Sequence, residues 1–194
     1  MIKENFNYDY FRVTGKKPNC FMGGEKLMVD PVLRFLFLFR VLNHWRHERK
    51  TILYYILYPY YRYLKYKLNM ELEIGTQVGR GLLIVHRGGI KVNPKAVIGD
   101  NCTLFSGCVI GSIRGGKRAG APILGNAVYV GVNAAVVGGI RIGDDVVIAP
   151  NSFVNCNVPS HSVCVGNPAI IRHKDEATKY YCFNKVNFYD GTKL

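Results

Sequence analysis

His86 is the residue of this 194-residue chain whose type and setting point most directly to chemistry. Near neutral pH an imidazole both takes and returns a proton, so it can activate a hydroxyl that is otherwise a poor nucleophile. It lies in ELEIGTQVGRGLLIVHRGGIKVNPKAVIGD, residues 71–100, with Arg87, Gly88 and Gly89 directly after it. A hydrogen-bonded structural histidine is the competing reading. Zinc chemistry on this kind of scaffold needs three imidazoles, and the repeat region offers only His86 and His161, so no metal is expected. The cysteines at 20, 102, 108, 156, 164 and 182 form no C-x-x-C pair. The opening thirty residues lack the apolar run that secretion requires, and a reducing cytoplasm is the expected location.

The elements that must position His86 announce themselves by a beat of six. Val92, Ile98, Leu104 and Ile110 set it, and Leu124, Val130, Val136, Ile142, Ile148 and Val154 resume it. A glycine or alanine follows most beats, as at Gly99, Gly111, Gly125, Gly131, Gly143 and Ala149. Six is neither the helical 3.6 nor the strand's 2, and a fixed short period indicates a solenoid. Each hexad makes one side of a triangular coil, about eighteen residues close the triangle, and stacked coils bury an aliphatic column that no coil could bury alone. Cys102 and Cys108 occupy small inward positions and read as core fillers. Val78 and Ile84 carry the beat backwards, but Ile84 to Val92 is eight steps rather than six, so two residues bulge out beside His86. Functional side chains gather where a regular scaffold is locally broken.

This pattern resembles the hexapeptide-repeat acyltransferases, which implies a left-handed parallel β-helix, an exception to the right-handed rule for crossovers. Within that group residues 71–172 are similar to the serine acetyltransferase branch, in the order Glu71, Gly79-Arg80-Gly81, His86 to Gly89. The resemblance implies acetyl-CoA as co-substrate, His86 as the general base on an acceptor hydroxyl, and a homotrimer with each active site between two prisms. An ungapped comparison assigns the acid that orients the imidazole to Glu71; a two-residue gap would assign it to Glu73. It implies further that Gly111 lets the backbone approach the thioester, its N–H being a candidate oxyanion donor. The closing Gly166-Asn167-Pro168-Ala169 matches the branch's terminal turn. Arg172 and Lys174 beyond it are then candidates for the phosphates of CoA, and Ala134 and Ala149 for the pantetheine track.

The chain departs from the branch at Gly120 and Ala121, where serine acetyltransferases have an Arg-His pair that helps hold the amino acid. Losing a charge-assisted contact costs roughly 1.5–3 kcal/mol. The expected acceptor is therefore a sugar of capsular or surface polysaccharide synthesis, and the DYFRVTGK stretch, residues 9–16, looks like that of polysaccharide-locus members. Free serine, as in cysteine biosynthesis, is the alternative, and a non-catalytic β-helix scaffold is the second one. Residues 112–123, SIRGGKRAGAPI, interrupt the beat, and a mobile, anion-friendly loop is expected there, replacing a whole side of the coil.

Residues 1–70 lack the beat and are expected to form a helical N-terminal arm, followed by the β-helix domain over 71–172 and a C-terminal tail over 173–194. Asp30 and Pro31 cap and start a helix over 31–43, and a second helix after Thr51 is expected to bend or break at Pro59. The tail is expected to fold back through Tyr180, Tyr181 and Phe183. Lys and Arg number 26 against 13 Asp and Glu, which favours anionic partners. Between Pro31 and Met70 stand eight of those cations (34, 40, 46, 49, 50, 62, 65 and 67), one acid, Glu48, and seven tyrosines. That mixture suits the water-lipid interface at the inner face of the plasma membrane. It equally suits helices packed on protein with their cations solvated at the rim. Neither apolar run is long enough to cross a bilayer. A nucleic-acid partner is not expected, because no recognition signature accompanies the basic residues.

Overall fold

The structure, a computed structural model, describes residues 2–17, 20–46 and 52–187. Four helices come first, α1 (Ile2–Thr14), α2 (Cys20–Val29), α3 (Pro31–Trp45) and α4 (Ile52–Lys67). Fifteen short strands follow in three sheets. One sheet holds β1 (Met70–Leu72), β4 (Ile90–Val92), β7 (Val109–Gly111), β10 (Ala135–Val137) and β13 (Phe153–Val154). A second holds β2 (Gln77–Val78), β5 (Val97–Ile98), β8 (Ile123–Leu124) and β11 (Arg141–Ile142). The third holds β3 (Leu83–Val85), β6 (Thr103–Phe105), β9 (Tyr129–Val130), β12 (Val146–Ile148), β14 (Ser162–Val165) and β15 (Ile170–His173).

Successive beats fall on successive sheets, which makes the chain the left-handed parallel β-helix that the six-residue period requires. Val92 stands opposite Ile110 and Val136 opposite Val154, one coil of eighteen residues apart. The beat residues point inward and are almost wholly buried. The small residue after each beat has a direct cause. A Cβ on Gly79 would stand 2.6 Å from the carbonyl carbon of Gly99, and one on Gly131 would stand 2.7 Å from the nitrogen of Pro150. The backbone of the next coil occupies the space that a side chain would need. Cys102 and Cys108 are fully buried in this column, and burial pushes both thiols up to about 12, so they fill core space as expected.

Two stretches exceed the eighteen-residue coil. Ile84 stands opposite Leu104, twenty residues on, which places the two extra residues in the bulge beside His86. Ile110 stands opposite Val136, twenty-six residues on, and Leu124 takes the next side of the triangle. No side is replaced, contrary to expectation; an eight-residue excursion is inserted at one corner. It is also tied down. Ile113 and Gly120 exchange backbone hydrogen bonds of 2.9 Å, and Gly139 donates to the Arg118 carbonyl at 2.9 Å. The insertion is a pinned hairpin whose Arg114, Lys117 and Arg118 face solvent.

The arm is fastened to the β-helix by buried charges. Asp30 caps α3, its Oδ1 accepting the N–H groups of Val32 (2.9 Å) and Leu33 (3.2 Å), and Pro31 takes the first turn as expected. Arg40, expected among the rim cations, is 5% exposed. It pairs with Asp9 through two contacts of 2.8 and 2.9 Å and donates to the carbonyls of Val78 and Gly79. Asp9 also accepts the N–H of Leu82 at 2.8 Å. Arg12, fully buried, reaches Asn101 (3.3 Å) and Thr103 (2.8 Å). The DYFRVTGK stretch therefore carries the staples that hold arm to coil. Helices α1 and α2 were expected only as part of a helical arm and without bounds, and for α1 these long-range contacts matter more than any local pattern.

α4 runs unbroken through Pro59, which lies on the exposed side, where water can satisfy the carbonyl left without a donor. Its inner stripe of Tyr61 and Leu64 packs on protein, while Ile52, Tyr55, Ile56, Tyr63 and Tyr66 on its outer side stay exposed. No helix among the described residues is long and apolar enough to cross a membrane. The cations Arg49 and Lys50 and the acid Glu48 lie outside the described residues, as do residues 188–194. The tail does fold back, but not through Tyr180 and Phe183, which are exposed. Ala177, Cys182 and Val186 are the buried contacts. Asp145 anchors them, accepting from Ala177 N and Thr178 N at 2.9 Å each.

Candidate active site

Backbone geometry marks His86 apart from every other residue of the coils. Two columns of left-handed residues turn the corners. Asn101, Ala127, Asp145 and His161 form one, and Asn133 and Asn151 continue the other above Gly89 and Gly107. From Asn101 and Gly107 upward each position in a column donates its N–H to the coil beneath, as Ala127 does to Asp100 (2.7 Å) and Asn133 to Ser106 (3.1 Å). His86 has φ 58° and belongs to neither column. Positive φ is uncommon outside glycine and asparagine and costs about 1–3 kcal/mol, a strain that concentrates at functional sites. The two-residue excess of the coil turns the imidazole outward, where it is exposed. Its ring stands edge-on to Phe105, centroids 6.2 Å apart. It has no hydrogen bond among the described residues, which disfavours the structural-histidine alternative.

His86 lines a cavity of about 660 Å³ with Arg87, Val29, Asp30, Pro31 and Val32. The arm thus supplies one wall of the cavity, since Asp30, the cap that starts α3, lines it together with Val29, Pro31 and Val32. Asp30 was legible in the sequence only as a helix cap. Its second role depends on how α3 docks, which no local pattern encodes.

Glu71 and Gly111 lie elsewhere. They share a separate groove of about 270 Å³ with Glu73, Lys91, Val92, Asn93, Pro94, Val109 and Ile110. The two cavities have no lining residue in common, and within one chain Glu71 does not bond His86. Glu71 is exposed, with Lys91 3.9 Å away, whereas Glu73 is held by Lys65. Of the two acids, Glu71 is therefore the freer. Gly111 accepts the N–H of Gly138 at 3.0 Å, and Val109, two residues earlier, donates to the Ala134 carbonyl at 2.9 Å. By the alternation of a parallel ladder, the N–H of Gly111 also points at β10 and not into the groove. That orientation departs from the expected oxyanion donor. What Gly111 offers the groove is a backbone with no side chain.

The expected cofactor residues are scattered. Ala134 is fully buried within the core cluster and presents nothing to a surface track, because its position points inward. Ala149 is half-buried at a corner, its N–H on the Cys164 carbonyl at 2.9 Å. Arg172 and Lys174 are exposed on and just after β15, which pairs antiparallel with β14 and closes the stack. Neither lines the His86 cavity or the Glu71 groove. His161, the other histidine of the repeat, bonds Asp145 at 2.9 Å and is bound up with the tail. No group of three metal-binding side chains occurs among the described residues.

A triangular β-helix carrying a strained, outward histidine where its coil bulges by two residues defines a hexapeptide-repeat acyltransferase. Comparison with known proteins narrows the class. A serine acetyltransferase of Helicobacter pylori is 33% identical over 171 residues, covering 88% of this chain and 98% of that protein. One from Synechococcus elongatus is 31% identical over 168 residues, covering 86% of this chain and 67% of that protein. The crystal structure of Neisseria gonorrhoeae serine acetyltransferase superposes with a TM-score of 0.72 at 24% identity, and this chain spans 66% of its length. No family model matches. The chain belongs to the serine acetyltransferase family, and it is an enzyme, not a bare scaffold.

These relatives overturn the expected sugar acceptor and polysaccharide role. That expectation rested on the missing cation at Gly120 and Ala121. Two absent side chains are a weak argument when another element can place a cation beside the candidate base, as Arg87 lies beside His86. The lipid-linked acceptor that would have explained a membrane-resting arm is lost with it.

Proposed function

We propose that this enzyme is a serine O-acetyltransferase, moving the acetyl group of acetyl-CoA to the hydroxyl of free serine. The observation that carries the reading is the 33% identity extending over nearly the whole of the Helicobacter relative, joined to a cavity that holds an imidazole, an acid and a base. His86 takes the proton of the serine hydroxyl as its oxygen attacks the thioester carbonyl carbon. The new C–O bond forms, the C–S bond breaks, and the imidazolium returns the proton to the departing CoA thiolate. Oδ1 of Asp30 serves the helix cap, and Oδ2, with no partner among the described residues, faces the acceptor's ammonium.

The active site is composite, built in a homotrimer from the His86 cavity of one copy and the Glu71 groove of the next. Two separate half-sites in one chain support this arrangement. There Glu71 orients the imidazole, and Gly111 leaves room for the thioester. Arg172, Lys174 and Ala149 remain the proposed contacts to CoA. For the outer side of α4 we propose contact with an anionic lipid surface. Its exposed tyrosines and isoleucines are accompanied by Arg62 and Lys67 and by no acid within the helix.

Incubation with acetyl-CoA and L-serine should release free CoA thiol and yield O-acetylserine. Thiol release with no acetylated serine would overturn the assignment of the acceptor.

A further inference from the structure

Resting on serine as the acceptor, a question remains about its carboxylate. Three groups of a free amino acid need recognition in the His86 cavity, and three side chains there carry the matching chemistry. His86 suits the hydroxyl and Asp30 the ammonium, and Arg87 is the one cation among the lining residues. Arg87 is exposed and enters no ion pair or hydrogen bond among the described residues, so its guanidinium is uncommitted. Its backbone is better constrained than its exposure suggests. Gly88 and Gly89 after it have φ of 109° and 69°, the Gly88 carbonyl accepts the N–H of Gly107 at 2.8 Å, and a Cβ on Gly89 would press on Gly107 at 3.1 Å. The corner that bears Arg87 is thus seated on the coil above.

The cations of the pinned hairpin, Arg114, Lys117 and Arg118, line neither cavity of the chain. The hairpin's return, Gly120 and Ala121, carries no charge.

We infer that Arg87 binds the carboxylate of the acceptor and sets the enzyme's preference for a free amino acid. A guanidinium presents a planar fork that matches a carboxylate through two parallel N–H···O bonds, and it stays charged throughout the working pH range. The residue next to the base therefore fixes one end of the substrate while the base holds the other, and Arg87 acts in binding rather than in the proton transfer.

Steady-state kinetics with L-serine and with L-serinamide, which lacks the carboxylate charge, test this. Arg87→Gln should raise KM for serine on the order of ten- to a hundredfold, as expected for one lost charge-assisted contact. Its kcat should stay within a few-fold, and KM for acetyl-CoA should not move. KM for serinamide should be nearly the same in both proteins, and Arg87→Lys should recover part of the serine affinity. An unchanged KM for serine in Arg87→Gln, or an equal rise for serine and serinamide, overturns the inference, as does Arg118→Gln producing the loss instead. Wild-type enzyme that fails to acetylate serine would instead refute the proposed function, so the two failures are distinct.

Discussion

The strain at His86 and the calm of the buried thiols are the two informative facts at residue scale. His86 was legible because the beat skips there, and a skipped beat in a stacked coil has to push something outward. Asp30 and Arg87 were not recognised as its companions, since their roles come from the docking of α3 against the bulge. Gly111 was expected to bring an N–H to the thioester, but the direction of that N–H follows from ladder alternation, which a hexad count does not reveal. Cys102, Cys108 and Cys164 are buried, with thiols raised by burial to about 12, 12 and 11. A thiolate is the reactive form, so in the native protein these three should resist alkylation at pH 8 while half-buried Cys156 is labelled. Mass spectrometry after iodoacetamide treatment checks this. Labelling of Cys102 at the rate of Cys156 would contradict the packed column.

At the scale of elements, the β-helix was written plainly in the sequence and the arm only in part. Ile, Val and Leu at every sixth place admit one architecture because each must find the aliphatic column. α3 was legible from Asp30 and Pro31, which act locally. α1 was expected only as part of a helical arm, without bounds, because Asp9 and Arg12 look like surface charges until Arg40, Asn101 and Thr103 are brought to them. The hairpin of residues 112–123 looked mobile by its glycines and proved pinned by its ladder. α4 is apolar on two sides, and one of them is open. Lipid contact through that side predicts co-sedimentation with phosphatidylglycerol vesicles, weakened by salt and by Arg62→Glu with Lys67→Glu. Equal recovery with zwitterionic vesicles, or none with either, would contradict it.

Over the whole molecule the decisive arrangement is the separation of Glu71 from His86. In the proposed site His86 is the base and Glu71 its orienting acid, and because they line separate surfaces of one chain, that site requires a second copy of the chain, as closed cyclic assembly allows. Mixed trimers of His86→Ala and Glu71→Ala subunits contain interfaces where both intact residues meet. Co-expression should therefore restore serine acetylation above that of either parent, and a mixture no more active than its parents would contradict the composite site. The account as a whole depends most on the imidazole. The most direct measurement is the turnover of His86→Ala with saturating acetyl-CoA and L-serine, with melting temperature recorded alongside. A fall in kcat of about 10²–10⁴-fold in a protein that melts as the wild type does is the predicted result; an unchanged kcat would contradict general-base catalysis by His86.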